Sequence, residues 1–385
     1  MSHFDVIVLG AGGMGSAAAY HLAKDGQRVL LLEQFAIDHP NGSSYGNSRI
    51  IRYMYDHPAY VELAKAAYPM WRALEAEAGE PLLHVTGGLD FGRATDKSLQ
   101  DTIAAAEMHN IPVENLSPAE AMRRFPQFHF DDDMVILYQA DYGLLNASAC
   151  VRAHVRLAQQ HGATVVENAP VTGIDATPER VTVHTAKGDF TAERLVVTAG
   201  GWTNKVLAPL GIHLPLTVQR VQYCFFRAEH PEDYRPGRYP IFISHLYAEY
   251  EHVPYSLPDY DGLGVKIAFH GGQTVPDADS LSRVPDADAP DKLRPFLRDV
   301  LPALADAPLN QTHVCVYTMT PDHHFVIDRH PSLSNVVFAT PCSGHGFKFT
   351  TLIGRILADL SRSGLSSHDL SLFAHARFAA HESPA

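Results

Sequence analysis

The sequence predicts a mixed α/β protein: a Rossmann-like dinucleotide-binding domain, discontinuous along the chain, with an inserted antiparallel-sheet domain. Three observations predict it. A strand, a glycine turn, a helix and a second strand open the chain over residues 4–33. Alternating strand-like runs fill residues 216–320, and a last strand, glycine turn and helix return near residues 335–360. A length of 385 residues, 46% of them apolar, is enough for such a two-part core.

The opening run "FDVIVL" is continuous, apolar and rich in β-branched residues, as a buried parallel strand must be. Gly10, Gly12 and Gly15 follow as GxGxxG, and "SAAAYHLAKDG" supplies good helix formers stopped by Gly26. The second strand, "RVLLLEQ", ends at Glu33. The first glycine permits the turn, the second lets a pyrophosphate approach the backbone, and the third lets helix and strand pack closely. The helix N-terminus then faces the phosphates, and the Glu33 carboxylate is placed to accept from ribose hydroxyls.

Residues 38–57, "DHPNGSSYGNSRIIRYMYDH", form a long polar, glycine-rich stretch of the kind that usually serves a site. Helical patterns are expected near 58–78, 98–109 and 146–161, and strands near 84–91. "ATVVE", "VTGIDA", "RVTVHTA" and "RLVVTAGGW" read as a second group of βαβ-type elements. "LTVQRVQYCFF" and "GVKIAFH" belong to the antiparallel middle third. The last segment, "NVVFATPCSGHGFKFTTLIGRILADL", repeats the strand, turn and helix of the N-terminus.

Composition narrows the function. A net charge of −13, from 30 Lys+Arg against 43 Asp+Glu, opposes binding to nucleic acid and to anionic membranes. No apolar run is long enough to span a membrane, and Asp5 stands where a signal peptide would be basic. Four scattered cysteines, Cys150, Cys224, Cys315 and Cys342, argue against a disulfide framework and fit a reducing cytoplasm. His323 and His324 beside Asp322 and Asp328 lack the spacing of a metal site, so no metal is expected. A GxSxG nucleophile is absent, which leaves hydrolase chemistry without support.

The glycine motif does not separate FAD from NAD. The late return of the chain and "VVTAGGW" favour FAD, with "SGHGFKF" aiming a helix N-terminus and Lys348 at a flavin ring that is anionic when reduced.

Taken together, "GAGGMGSAAAYHLAKDG", "NGSSYGNSRIIR", "GVKIAFH", "VCVYTMTPDHHFVIDRHP", "SNVVFAT" and "SGHGFKF" resemble the monomeric sarcosine oxidase and N-methyltryptophan oxidase family. The likeness keeps the family's order and approximate spacing over nearly the whole chain. It implies an FAD-dependent oxidase of secondary amino acids that transfers hydride to the flavin, releases an imine for hydrolysis and reduces dioxygen to hydrogen peroxide. It implies covalent FAD attached through Cys315, with Cys342 at a position that does not match. Arg52 and Lys348 are implied to hold the substrate carboxylate, and Tyr255, His270 and Tyr317 to line the substrate cavity. Lys266 and Arg49 are implied to flank the flavin. Ser43, Ser48, Val171, Gly200, Gly344, Gly346 and Lys348 complete the cofactor-binding set with Gly10, Gly12, Gly15 and Glu33.

The implied division is an FAD-binding domain of residues 1–82, 146–215 and 325–385, and a substrate domain of residues 83–145 and 216–324. A small secondary amine and dioxygen are the expected partners, and a monomer the expected state. Two departures stand out: Ser44 and Tyr45 replace a family histidine pair, and "SHLYAEYEHVPYSLPDYDG" replaces a shorter glycine-rich hairpin. Substrates compatible with the resemblance include sarcosine, N-methyltryptophan, pipecolate or proline, and glycated amino acids. An NAD-dependent dehydrogenase and a non-catalytic flavin-binding subunit are the alternatives of other classes.

Without the resemblance, several of these residues have plainer readings. Cys315 would be a small buried hydrophobe, Lys266 an outward lysine, His270 a structural histidine, and Arg49 and Arg52 solvated loop charges.

Overall fold

The computed structural model describes residues 3–250, 252–340 and 343–381. Two large sheets and one small sheet organise them.

The first sheet has a parallel core. His3–Leu9 lies between Val29–Leu32 and Gly188–Val197, and Thr164–Val166 and Val336–Thr340 extend it on either side. Its central strands are wholly enclosed from Val6 to Val8 and from Val29 to Leu31, which explains their unbroken apolar runs. The helix Gly13–Lys24 packs against Thr350–Ser363, joining the two ends of the chain. Gly354 permits this, because a Cβ there would lie 2.5 Å from that of Ala17.

One expectation is corrected in this sheet. Val171–Ala176, Val181–Thr185 and Gly188–Val197 form an antiparallel meander rather than βαβ units. Their connections are a few residues long, too short for the crossover that parallel pairing requires.

The second sheet contains the predicted antiparallel third. Thr217–Phe226 pairs with Leu309–Met319, Val265–His270 and Gln273–Val275. The series continues through Val253–Leu257, Ile241–Ser244, Gly88–Arg93, Met134–Gln139 and Glu114–Leu116. Among the described residues of this sheet only the contact of Ile241–Ser244 with Gly88–Arg93 is parallel. The helix Ala289–Val300 buries Leu293, Phe296 and Leu297 in the core of this sheet.

The helices expected near 58–78, 98–109 and 146–161 are Pro58–Ala78, Lys97–Met108 and Ala147–Gln160. The strands expected near 84–91 are Leu83–Val85 and Gly88–Arg93, parted at Gly87, whose φ of 69° suits glycine. The 38–57 stretch carries the short strand Arg49–Ile51, which pairs with Gly143–Leu145 in the small sheet. Among the described residues no helix is long and apolar enough to cross a membrane.

Candidate active site

Residues of both large sheets and of the 38–57 stretch line one cavity of about 640 Å³. It runs from the glycine turn to Cys315, His270 and Lys348.

At the glycine turn, Gly10 has φ 88°, and a Cβ there would meet the Thr198 carbonyl oxygen at 2.6 Å. A Cβ on Gly15 would fall 1.8 Å from the Gly10 carbonyl oxygen, so only glycine lets this helix approach its strand. We expect Gly15→Ala to cost roughly 1–3 kcal/mol or more and to empty the site. Thermal unfolding and flavin content of the purified variant check this; wild-type values would contradict the packing argument.

Glu33 is 4% exposed. Its carboxylate accepts from the Ala11 amide at 2.8 Å and the Phe35 amide at 3.0 Å, and His39 Nε2 lies 3.3 Å away. Burial pushes its pKa up, but His39 and the two amides outweigh burial and hold the group below its usual range. A fixed, ionised carboxylate therefore stands at the end of the second strand. Ser44, one of the two departures, has a definite place: its hydroxyl accepts from the Gly13 amide at 2.9 Å, at the start of the helix. Tyr45 is exposed at the cavity wall, and its carbonyl accepts from Arg49. Val171 and Gly200 line the same stretch, and among the described residues no atom beyond Gly200 and its two chain neighbours lies within 4 Å of where a Gly200 Cβ would be.

At the other end, Arg49 donates to the carbonyls of Ser48, Ser43 and Tyr45 at 2.8, 2.9 and 2.8 Å. Lys266 is 4% exposed. Its Nζ donates to the Ser48 carbonyl at 3.1 Å and stands 4.3 Å from the centre of the Tyr223 ring. Burial lowers its pKa to about 7, with Arg49 adding to the effect and Cys315 and Asp261 opposing it. The outward-lysine reading is thus overturned.

Cys315 is opposite Val221 in the strand pair and lines the cavity, as does Tyr317 two residues on. Ser43 Oγ donates to the Val316 carbonyl at 2.6 Å and fastens the loop to this strand. Cys150 and Cys224 lie in the hydrophobic cores, and Cys342 lies outside the described residues.

His270 and Tyr317 face each other with ring centres 5.4 Å apart, and Tyr255 packs in the same cluster. The register holding Tyr255 opposite Ala268 and Ile243 is explicit. Gly344, φ 77°, brings the C-terminal loop onto this group, because a Cβ would lie 2.4 Å from the Tyr317 ring and 2.6 Å from His270. Gly346 also lines the cavity. Burial is the main cause that lowers the His270 pKa to about 4, helped by Lys348, so the imidazole is neutral near pH 7.

Arg52 and Lys348 are brought together by Tyr55. The Arg52 guanidinium lies 4.6 Å from the centre of the Tyr55 ring, and Lys348 Nζ donates to the Tyr55 hydroxyl at 2.7 Å and to the His345 carbonyl at 2.7 Å. Tyr55, Tyr223, Asp90, Tyr142 and His245 were not singled out from sequence. Asp90 left one signal, an acid inside the apolar strand "GGLDFGR".

His324 meets the Tyr60 hydroxyl at 3.1 Å, Asp322 pairs with Arg377 at 2.6 Å, and Asp328 with His375 at 2.6 Å. These neighbours in sequence are therefore engaged in separate contacts.

The cavity fits an adenine dinucleotide that carries a flavin. A buried carboxylate stands at one end, and half-buried Arg49 with buried Lys266 and Lys348 at the other. Among the described residues, Asp38 Oδ1, Arg52 Nε, Thr318 Oγ1 and Thr350 Oγ1 are enclosed polar atoms without a partner, and all four residues line the cavity. Enclosed polar atoms of this kind call for a ligand.

Comparison with known proteins agrees. The sequence profile of the FAD dependent oxidoreductase family, DAO, matches residues 5–360. Monomeric sarcosine oxidase of Bacillus sp. (strain NS-129) is 38% identical over 97% of this chain and 96% of its own. N-methyl-L-tryptophan oxidase of Escherichia coli O17:K52:H18 is 32% identical over 97% of this chain and 99% of its own. The open form of NikD, an amino acid oxidase of nikkomycin biosynthesis, superposes with a TM-score of 0.84 at 27% identity, covering 97% of this chain and 98% of that one. An NAD-dependent dehydrogenase is set aside by this match, and the chain belongs to the DAO family of FAD-dependent oxidoreductases, with the monomeric sarcosine oxidases among its relatives.

Proposed function

We propose that the protein oxidises secondary amino acids of the sarcosine type, N-methyl or cyclic, using FAD bound covalently through Cys315. The observation that carries this reading is the meeting of two cations, half-buried Arg52 and buried Lys348, on Tyr55 in the cavity that also contains Cys315. Bound FAD supplies the redox chemistry, taking a hydride from the carbon next to a neutral amine and returning the electrons to dioxygen as hydrogen peroxide.

Gly10, Gly12, Gly15 and Glu33 hold the pyrophosphate and ribose. Cys315 anchors the ring through its sulfur, and Arg49 and Lys266 flank it. Arg52 and Lys348 hold the substrate carboxylate, where paired charge-assisted hydrogen bonds fix both position and direction. Tyr255, Tyr317 and neutral His270 enclose the amine and its alkyl group. With His270 uncharged, the ring group adds no positive charge beside an amine that must shed its proton before reacting. The imine product meets water and hydrolyses after release. The division into an FAD-binding and a substrate domain, at the boundaries given above, is part of this reading.

A hydrogen peroxide assay over N-methyl amino acids, cyclic imino acids and glycated amino acids tests it. Peroxide with the first or second class is the expected result. No peroxide with any of the three would end the reading.

A further inference from the structure

The cations of the cavity are held in different ways. Arg52 meets the Asp90 carboxylate at 3.2 Å, and Tyr142 and His245 contact the same carboxylate. Lys266 has neutral acceptors instead: its Nζ donates to the Ser48 carbonyl at 3.1 Å and to Ser48 Oγ at 3.4 Å. Asp261, an acid whose charge reaches Lys266, is exposed and accepts from Asn47 Nδ2 at 2.8 Å. The Tyr223 ring adds a contact of another kind, its centre 4.3 Å from Lys266 Nζ.

Three neighbouring strands build this contact. Thr217–Phe226 lies between Leu309–Met319 and Val265–His270, with His313 opposite Tyr223 on one edge and Lys266 opposite Phe225 on the other. Residues paired across strands share a face, so Lys266 reaches the Tyr223 ring on the diagonal. Tyr223 is 7% exposed, and the His313 ring stacks on it with centres 5.4 Å and planes 6° apart. Its hydroxyl end lies against the 38–57 stretch, where a Cβ on Gly46 would be 3.5 Å away. The ring is therefore fixed by its own neighbours, independently of Lys266.

We propose that Tyr223 is a positioning residue for Lys266, an aromatic face that keeps the ammonium in place and charged beside the flavin without neutralising it. The proposal rests on the reading of Lys266 as a cation flanking the flavin.

The kind of attraction gives the reason. A carboxylate in this place would hold the ammonium but cancel its charge. The face of an aromatic ring carries partial negative charge and no net charge, so it attracts the cation and leaves its field intact. That field acts when dioxygen receives two electrons and a proton from the reduced flavin, takes a second proton from solvent and leaves as hydrogen peroxide. The first electron makes dioxygen an anion, and a fixed cation beside it lowers the cost of that step. Among the described residues, the other titratable groups acting on the ammonium are Arg49, Cys315, Asp261 and His313. Burial, helped by Lys266, holds the His313 pKa below its ordinary value, so the stack brings no second cation near pH 7.

The test uses the flavin-loaded enzyme and two readouts. Stopped-flow mixing with dioxygen gives the reoxidation rate, and a pH titration of the oxidised flavin absorbance reads the charge on Lys266 without turnover. Tyr223→Leu is expected to slow reoxidation roughly tenfold or more. It is also expected to lower, by about one pH unit, the titration step that Lys266→Met abolishes, because a charge held less well gives up its proton sooner. Tyr223→Phe keeps the ring and is expected to restore both. Fluorinating the ring of Tyr223→Phe keeps the shape but drains the face of negative charge, so it is expected to act like Tyr223→Leu even where the leucine variant does not fold. In a Lys266→Met background Tyr223→Leu is expected to change nothing further. Loss of the same factor in both backgrounds marks a merely structural role and overturns the proposal. Lys266→Met separates the two claims. If it reoxidises at the wild-type rate, the reading of Lys266 fails and takes the proposal with it. If it is slow while the fluorinated ring matches Tyr223→Phe in rate and titration, only the role of Tyr223 fails.

Discussion

Replacing Lys266 by methionine will leave flavin in the protein but slow its reoxidation by dioxygen by about 10²–10³-fold, the loss expected when one preorganised charge is removed from a dry site. The geometry explains the size. Lys266 is held by the Ser48 carbonyl on one side and the Tyr223 ring on the other, so its ammonium needs no rearrangement as negative charge develops on dioxygen. A methionine of similar length fills the space without the charge. Stopped-flow mixing of reduced enzyme with dioxygen reads the rate, and an unchanged rate would sink the assignment.

The depressed pKa adds two pH effects with definite signs. Reoxidation should slow as pH rises through the pKa of the ammonium, which lies near 7 in the protein alone and is moved up by an anion beside it. For stability the folded pKa is below the unfolded one, so from about pH 7 to 10 the unfolded chain binds more protons. Lys266 thus makes the fold more stable as pH rises across that window, and Lys266→Met should lose this slope.

Cys315→Ala will release the flavin. Acid precipitation of the wild type should leave the yellow colour in the pellet, and the variant should give a colourless pellet or apoprotein. Of the three described cysteines only Cys315 lines the cavity, on the strand that also carries Tyr317. Alanine keeps the backbone pairing of Leu309–Met319 with Thr217–Phe226, so the variant should fold. Acid-stable flavin in Cys315→Ala would refute the attachment.

The two predictions draw on features of different legibility. Gly10, Gly12, Gly15 and Glu33 could be read directly, because a phosphate-binding turn imposes residue types at fixed spacing. The helix Pro58–Ala78 could be read from its proline start and the left-handed Gly79 at its end. Strand direction could not: Val171–Ala176 and Val181–Thr185 look alike in a parallel or an antiparallel sheet, and only the short connections between them exclude the crossover. The partners that tune the site were hidden for a similar reason. Tyr142 meets Asp90 from 52 residues away and His245 meets it from 155 away, distances over which spacing carries no signal. Tyr223 reads as one more apolar residue of "VQRVQYCFF" until the fold sets Lys266 over its ring. Cys315, Lys266 and His270 gained a role from family likeness, since local pattern alone favoured the plainer readings.

The most direct test of the account is to mix the purified protein anaerobically with a panel of secondary amino acids, then admit dioxygen. The account predicts bleaching of the flavin absorbance by a sarcosine-like N-methyl or cyclic amino acid, followed by recovery with one hydrogen peroxide formed per flavin reduced. A flavin-loaded protein that no secondary amino acid bleaches would contradict it.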